Sequence, residues 1–156
     1  MDIYGYLTRD HRKVAELMAD LLAINLSAVQ FRIFERIHQE LALHTEAEER
    51  TFYAALEEAG REARVEDRVV HAKADHYEIR ELLAFLSTES IAGPRWLEKF
   101  GELKHAVEHH MKEEEGEIFA KARILLPQTK ANQLARDIDR VKRELVARDL
   151  NQTAAE

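Results

Sequence analysis

The chain has 156 residues and a net charge of −7, with 34% charged residues, five glycines and two prolines. That length suits one domain with a real core (expected over residues 1–156), and the shortage of helix breakers favours helices. The acidic balance speaks against nucleic acid, which needs clustered Lys and Arg; no apolar run is long enough for a membrane span; and the absence of cysteine excludes disulfides, thiolate zinc sites and ordinary iron–sulfur ligation.

Apolar residues recur at helical spacing along nearly the whole chain. The first helix is expected from about Asp10 to Ala23, with Leu7, His11, Val14, Met18 and Leu21 on one stripe. The second runs from about Ala28 to Ala59 and ends at Gly60, a residue that accepts the left-handed conformation of a helix terminus. The third runs from about Glu62 to Leu86, through Ala72, His76, Ile79 and Leu83. Ser87 to Pro94 reads as a loop, with Pro94 placed to start the next helix. The fourth runs from about Arg95 to Leu125, through Phe100, Leu103, Val107, His110, Glu114 and Ile118. A shorter amphipathic helix follows at about 128–146, and the tail beyond Asp149 is expected to fray. Short connections between long amphipathic helices predict an all-α fold: an antiparallel up-down-up-down four-helix bundle over about 7–125, plus the C-terminal helix. The opening Met-Asp-Ile-Tyr-Gly-Tyr has neither the basic nor the apolar region of a signal peptide, so a cytoplasmic location is expected.

The chain repeats itself. His44-x-x-x-Glu48-Glu49 returns as His110-x-x-x-Glu114-Glu115, and Asp10-His11 returns as Asp75-His76. The bundle is therefore a duplicated helical hairpin with a pseudo-twofold axis. His11, His44, Glu48, His76, His110 and Glu114 all occupy apolar-stripe positions and so point inward. Residues four apart differ by only about 40° around a helix, so His44 with Glu48, and His110 with Glu114, can reach one point. Carboxylates and imidazoles inside an apolar bundle are costly without partners. Two divalent cations bridged by carboxylates would supply them. The alternative is a buried His–Glu hydrogen-bond network without metal.

Four other histidines fall off the stripe. His71 and His105 each lie five residues before an inward histidine, a rotation of about 140° toward solvent; His38 is also off register. His109 is a flanking surface residue or supports a ligand from behind, and His105 with His109 could clip a surface metal. Glu49 and Glu115 are either surface charges or alternative bridges and acceptors for ligand histidines. Tyr53 and Phe119 wall the pocket, or Tyr53 donates to a bound oxygen species or ligates iron. Tyr4, Tyr6 and Trp96 close the bundle ends.

On these elements, spanning residues 10 to 120, the chain resembles the hemerythrin-like superfamily, specifically the bacterial HHE cation-binding domains. The resemblance implies a non-haem di-iron centre, oxo- or carboxylate-bridged, with His11 and His44 on one iron, His76 and His110 on the other, and Glu48 and Glu114 bridging. Other divalent metals fit the same donors. One departure matters, and one choice stays open. Oxygen carriers of the superfamily have a histidine four residues before the one on the third helix, where this chain has Ala72. They also place the bridging acid of the fourth helix five after its histidine, which here is Glu115, whereas internal symmetry selects Glu114. The lost histidine turns the expectation from reversible oxygen carriage toward binding or reacting with oxygen, peroxide or nitric oxide. A non-enzymatic iron-sensing or iron-storage module and a metal-free interaction bundle remain as alternatives. Partners are expected to be a small diatomic or peroxide ligand, with neither nucleic acid nor membrane; sequence leaves the oligomeric state open.

Overall fold

The computed structural model describes residues 1–61 and 65–155. It is all-helical, with no strand among the described residues. Helix α1 spans Ile3–Ala23. Helix α2 (27–59) comprises Ser27–Glu48, one turn of π-helix at Glu49–Tyr53 and a last stretch at Ala54–Ala59. Helix α3 spans Val65–Thr88. Helix α4 (94–125) comprises Pro94–Glu113, a second π-turn at Glu114–Ile118 and Phe119–Leu125. Helix α5 spans Gln128–Ala155. The first four form the antiparallel bundle, paired as the hairpins α1–α2 and α3–α4; α5 packs across α1 and α2.

Several boundaries differ from the sequence reading. Helix α1 starts at Ile3, well before Asp10, because Asp2 caps it: its carboxylate accepts the Gly5 N–H at 3.0 Å. Ile3, Tyr4, Tyr6 and Leu7 are then buried on its first turns. Glu62, the expected start of the third helix, lies outside the described residues. Helix α5 is not short and does not end near 146. Its run of good helix formers has no Gly or Pro to stop it, and Thr153 Oγ1 donates to the Asp149 carbonyl at 3.0 Å. Gly60 ends α2, but not in a left-handed conformation: its φ is −100° and ψ 13°. Glycine is needed there for close approach. A Cβ on residue 60 would stand 2.8 Å from the Leu56 carbonyl oxygen and 2.8 Å from Val65 Cβ.

The core is in two parts. One apolar cluster gathers Ile3, Leu7, Phe52, Tyr53, Leu56, Val69 and Phe119 at one end, reaching Leu134 and Ile138 of α5. The other gathers Val14, Met18, Phe34, Ile37, Leu83, Trp96 and Phe100 at the opposite end. Trp96 lies in this second cluster, where its Nε1 donates to the Leu86 carbonyl at 2.9 Å. Tyr4 and Tyr6 lie in the first. Between the clusters, at mid-height, each of the four bundle helices contributes one buried histidine.

Gly60→Ala tests the close-approach reading. The added methyl overpacks the α2–α3 corner, and urea unfolding should show a loss of about 1–3 kcal/mol. An unchanged midpoint would mean that the corner has room.

Candidate metal centre

The polar layer is built from one motif used twice. His44 and Glu48 lie one turn apart on α2, and His110 and Glu114 one turn apart on α4; His11 and His76 come from the partner helix of each hairpin. Glu48, His76 and Glu114 are fully buried, and His11, His44 and His110 are 3% exposed. Their donor atoms form two groups. One contains His11, His44, Glu48 and Glu114; the other contains Glu48, His76 and His110.

All four Nε2 atoms face the two glutamates. His11 Nε2 is 3.1 Å from Glu114 Oε1, and His44 Nε2 is 3.5 Å from Glu48 Oε2. His76 Nε2 is 3.0 Å from Glu48 Oε1. His110 Nε2 is 3.7 Å from the same oxygen and 3.6 Å from Glu114 Oε2. The Nε2 atoms of His76 and His110 are 3.1 Å apart. Hydrogen bonds do not satisfy this cluster. His11 Nε2, His44 Nε2, both Glu48 oxygens and Glu114 Oε1 are buried without a hydrogen-bond partner. Unpaired buried polar atoms are rare, and five converging on one point is what a site for bound cations requires. The donor set, imidazole with carboxylate, fits iron, manganese or zinc.

The outward nitrogens are held by a second layer of carboxylates. His44 Nδ1 lies 3.1 Å from Asp10 Oδ2, and His76 Nδ1 lies 3.0 Å from Glu49 Oε2. His110 Nδ1 is 3.5 Å from Asp75 Oδ2, and His11 Nδ1 is 3.7 Å from Glu115 Oε1. Such partners fix the ring orientation and tautomer of ligand histidines. Glu49 and Glu115 both face the outward nitrogens of the rings and not the inner layer. Glu49 anchors His76 and is itself held by Arg80 Nη2 at 2.5 Å, while Glu115 stays on the rim, 38% exposed. Glu114, chosen by internal symmetry, is the inward acid. Tyr53 is buried, stacks on His76 with ring centroids 5.3 Å apart, and donates its hydroxyl to Glu114 Oε2. His109 is on the surface, 53% exposed, with Nε2 3.2 Å from Glu113 Oε1.

Sequence reasoning saw Asp10 and Asp75 as part of the repeat but gave them no role; their position just before an inward histidine was the available signal. It gave no role to Lys142, whose ammonium pairs with Asp10 from 132 residues away.

Electrostatics follow the geometry. Burial drives Glu48 toward its neutral form, but attraction to His44 and the close approach of the His110 and His76 rings outweigh it and hold the carboxyl well below its ordinary value. Burial likewise opposes protonation of His110, yet the neighbouring carboxylates of Asp75 and Glu48 push it up to about 10. His11 and His76 are also raised against burial, through Glu114 and through Glu48 with Glu49 respectively. Burial next to Glu114 and Glu48 raises the Tyr53 phenol well above its usual value, so it remains a proton donor. Protons thus stand where cations would otherwise balance the carboxylates.

Comparison with known proteins agrees with this geometry. Residues 2–122 match the family model of the hemerythrin HHE cation binding domain. A crystal structure of an HHE cation binding domain-containing protein from Mycobacterium kansasii superposes with a TM-score of 0.83 at 17% identity, covering 100% of this chain and 94% of that one. A DNA nickase from Nostoc sp. is 25% identical over 148 residues, 95% of this chain. The chain spans only 41% of that protein's length. No described helix is long and apolar enough to cross a membrane.

Metal-free protein should lose stability with rising pH. His11, His76 and His110 bind protons more tightly folded than unfolded. Their contribution is therefore full below the ordinary imidazole value of 6.5 and is lost as pH climbs toward about 10. Glu48 acts at the other end: its contribution is present above 4.5 and is lost as pH falls below that. Calorimetry in chelator should show Tm falling between pH 6.5 and 10. A flat Tm across that interval would show that the carboxylates do not hold protons on these rings.

Proposed function

The chain belongs to the hemerythrin HHE cation-binding domain family, and from that premise we propose that it is a non-haem di-iron protein that binds or reacts with oxygen, peroxide or nitric oxide. The observation that carries the reading is the pair of donor groups sharing Glu48 in an otherwise apolar core. His11 and His44 would hold one iron, His76 and His110 the other, with Glu48 and Glu114 between them. Iron held this way supplies redox chemistry and coordination of small oxygen-containing ligands.

The chain's own residues prepare the site. Asp10, Glu49 and Asp75 fix three of the rings so that each Nε2 points inward. Tyr53 keeps a proton at Glu114 Oε2, within the layer and out of water. Apolar clusters above and below exclude solvent along the bundle axis. The side between α3 and α4 carries a crevice of about 10 Å³ lined by Ala72, Asp75, His110 and Ile118, and small solutes would approach there. A histidine in place of Ala72 would fill that crevice, so the departure from the oxygen carriers supports reaction with small solutes over closed, reversible carriage. Nicking of DNA is not carried over from the Nostoc relative, because a chain with a net charge of −7 is poorly suited to phosphate contacts.

Elemental analysis and an optical spectrum of iron-loaded protein test this. Two irons per chain are expected. His110→Ala should drop the content below one and remove the spectrum of the pair. It should also cost the metal-free fold about 3–5 kcal/mol by leaving buried carboxylates poorly paired. His105→Ala, on the surface, should keep both irons. A reproducible single iron in the unmodified chain would refute the paired centre.

A further inference from the structure

Under the repeat, Tyr6 corresponds to His71, Asp10 to Asp75 and Ala47 to Glu113. In the first half this position holds a cation that the protein supplies. Helix α5 brings in Lys142, whose ammonium pairs with Asp10 and lies 4.8 Å from the Tyr6 ring centroid. In the second half no such helix covers the surface, and among the described residues no lysine or arginine pairs with Asp75; the nearby Arg68 pairs with Glu117 at 2.7 Å. Ligand-type side chains stand there instead. His71 and Asp75 are one turn apart on α3, Glu113 faces them from α4, and an atom of each lies within 4.8 Å of the others. His71 Nε2 is 3.8 Å from Glu113 Oε2. Asp75 Oδ2 is buried, and its contact with His110 Nδ1, at 3.5 Å, is too long to satisfy it as a hydrogen bond.

We propose that His71, Asp75 and Glu113 form a second, surface site for a divalent cation, at the mouth of the crevice that leads to His110. One imidazole and two carboxylates suit Mn2+, Fe2+ or Zn2+, with water completing the shell. The site is half open: the side chains of His71, Asp75 and Glu113 are 58%, 16% and 34% exposed. It would therefore bind weakly and exchange. Its inner ligand, Asp75, also touches His110 Nδ1, so a cation here sits one residue from the buried layer. The same crevice is lined by His71 and Glu113 outside and by Ala72 and His110 inside. The site accordingly receives cations on their way to the buried centre. Binding stands on the surface geometry alone; the delivery role rests on the di-metal reading above.

Equilibrium dialysis of the full chain against Mn2+ reads the site, comparing wild type with His71→Ala/Glu113→Ala. Both residues lie on the surface, and neither belongs to the buried layer. Wild type should bind one more Mn2+ than the double variant; equal numbers would overturn the site. Uptake of Co2+ by metal-free protein, followed by visible absorption, reads delivery. The double variant should load about tenfold more slowly to the same final intensity, the size of effect that a charged entrance exerts on capture. Equal rates would overturn the delivery role. Glu102→Ala/His105→Ala removes the same residue types from another stretch of α4 and should leave both readouts unchanged; slowing there would reduce the effect to general surface charge. Failure of either protein to gain the Co2+ absorption would refute the buried pair and delivery with it, while an extra Mn2+ in wild type would still support the surface site.

Discussion

A closed ring of carboxylate–imidazole contacts ties the bundle together at mid-height. Asp10 of α1 holds His44 of α2; Glu49 of α2 holds His76 of α3; Asp75 of α3 holds His110 of α4; Glu115 of α4 approaches His11 of α1. Each helix thus supplies one histidine and the acid that orients the next. Because the rings are held from outside, their inner nitrogens have nowhere to turn except toward Glu48 and Glu114. That layer is expensive for the fold, since two buried carboxylates need positive charge nearby. In metal-free protein it comes from protons on the histidines, and in the loaded protein from cations. The same residues therefore link folding, pH and metal content.

The two π-turns explain how adjacent glutamates on one helix serve different directions. Each begins at or just after an inward glutamate, Glu48 or Glu114. A π-turn closes on the fifth residue, one more than the α-helix, and shifts the register of everything beyond it. Glu48 can then point into the layer, Glu49 can lean to α3, and both Phe52 and Tyr53 are buried below. In an unbroken α-helix Tyr53, five residues after the inward Glu48, would turn away from the centre by about 140°. The extra residue brings its hydroxyl to Glu114.

This accounts for what the sequence could disclose. The inward histidines and glutamates were legible because they keep the 3.6-residue stripe of the core, and their repetition at a fixed offset makes a chance placement a poor explanation. Glu49 and Tyr53 stayed ambiguous because a π-turn carries no compositional signal. Asp10 and Asp75 stood out only as part of the repeat; the packing of neighbouring helices shows which ring they face. Lys142 was beyond reach because its partner is distant in the chain and α5 has no repeat to place it. The early start of α1 was missed although Ile3 and Leu7 continue its apolar stripe and Asp2 offers a capping signal.

Duplication sets up two equivalent halves, and α5 makes them unequal. It covers the α1–α2 side, where Ala131, Leu134 and Ile138 join the core and Lys142 neutralises Asp10. Among the described residues the α3–α4 side has no such cover, and there a crevice of about 10 Å³ lies beside Ala72 and His110. In a symmetric bundle both halves of the layer would meet solvent alike, and small solutes would have no preferred approach. With one side covered by packing and by a fixed ammonium, the proposed exchange of cations and small ligands would take place on the other. The asymmetry of this fold is thus set outside the repeat, by the helix that the repeat does not contain.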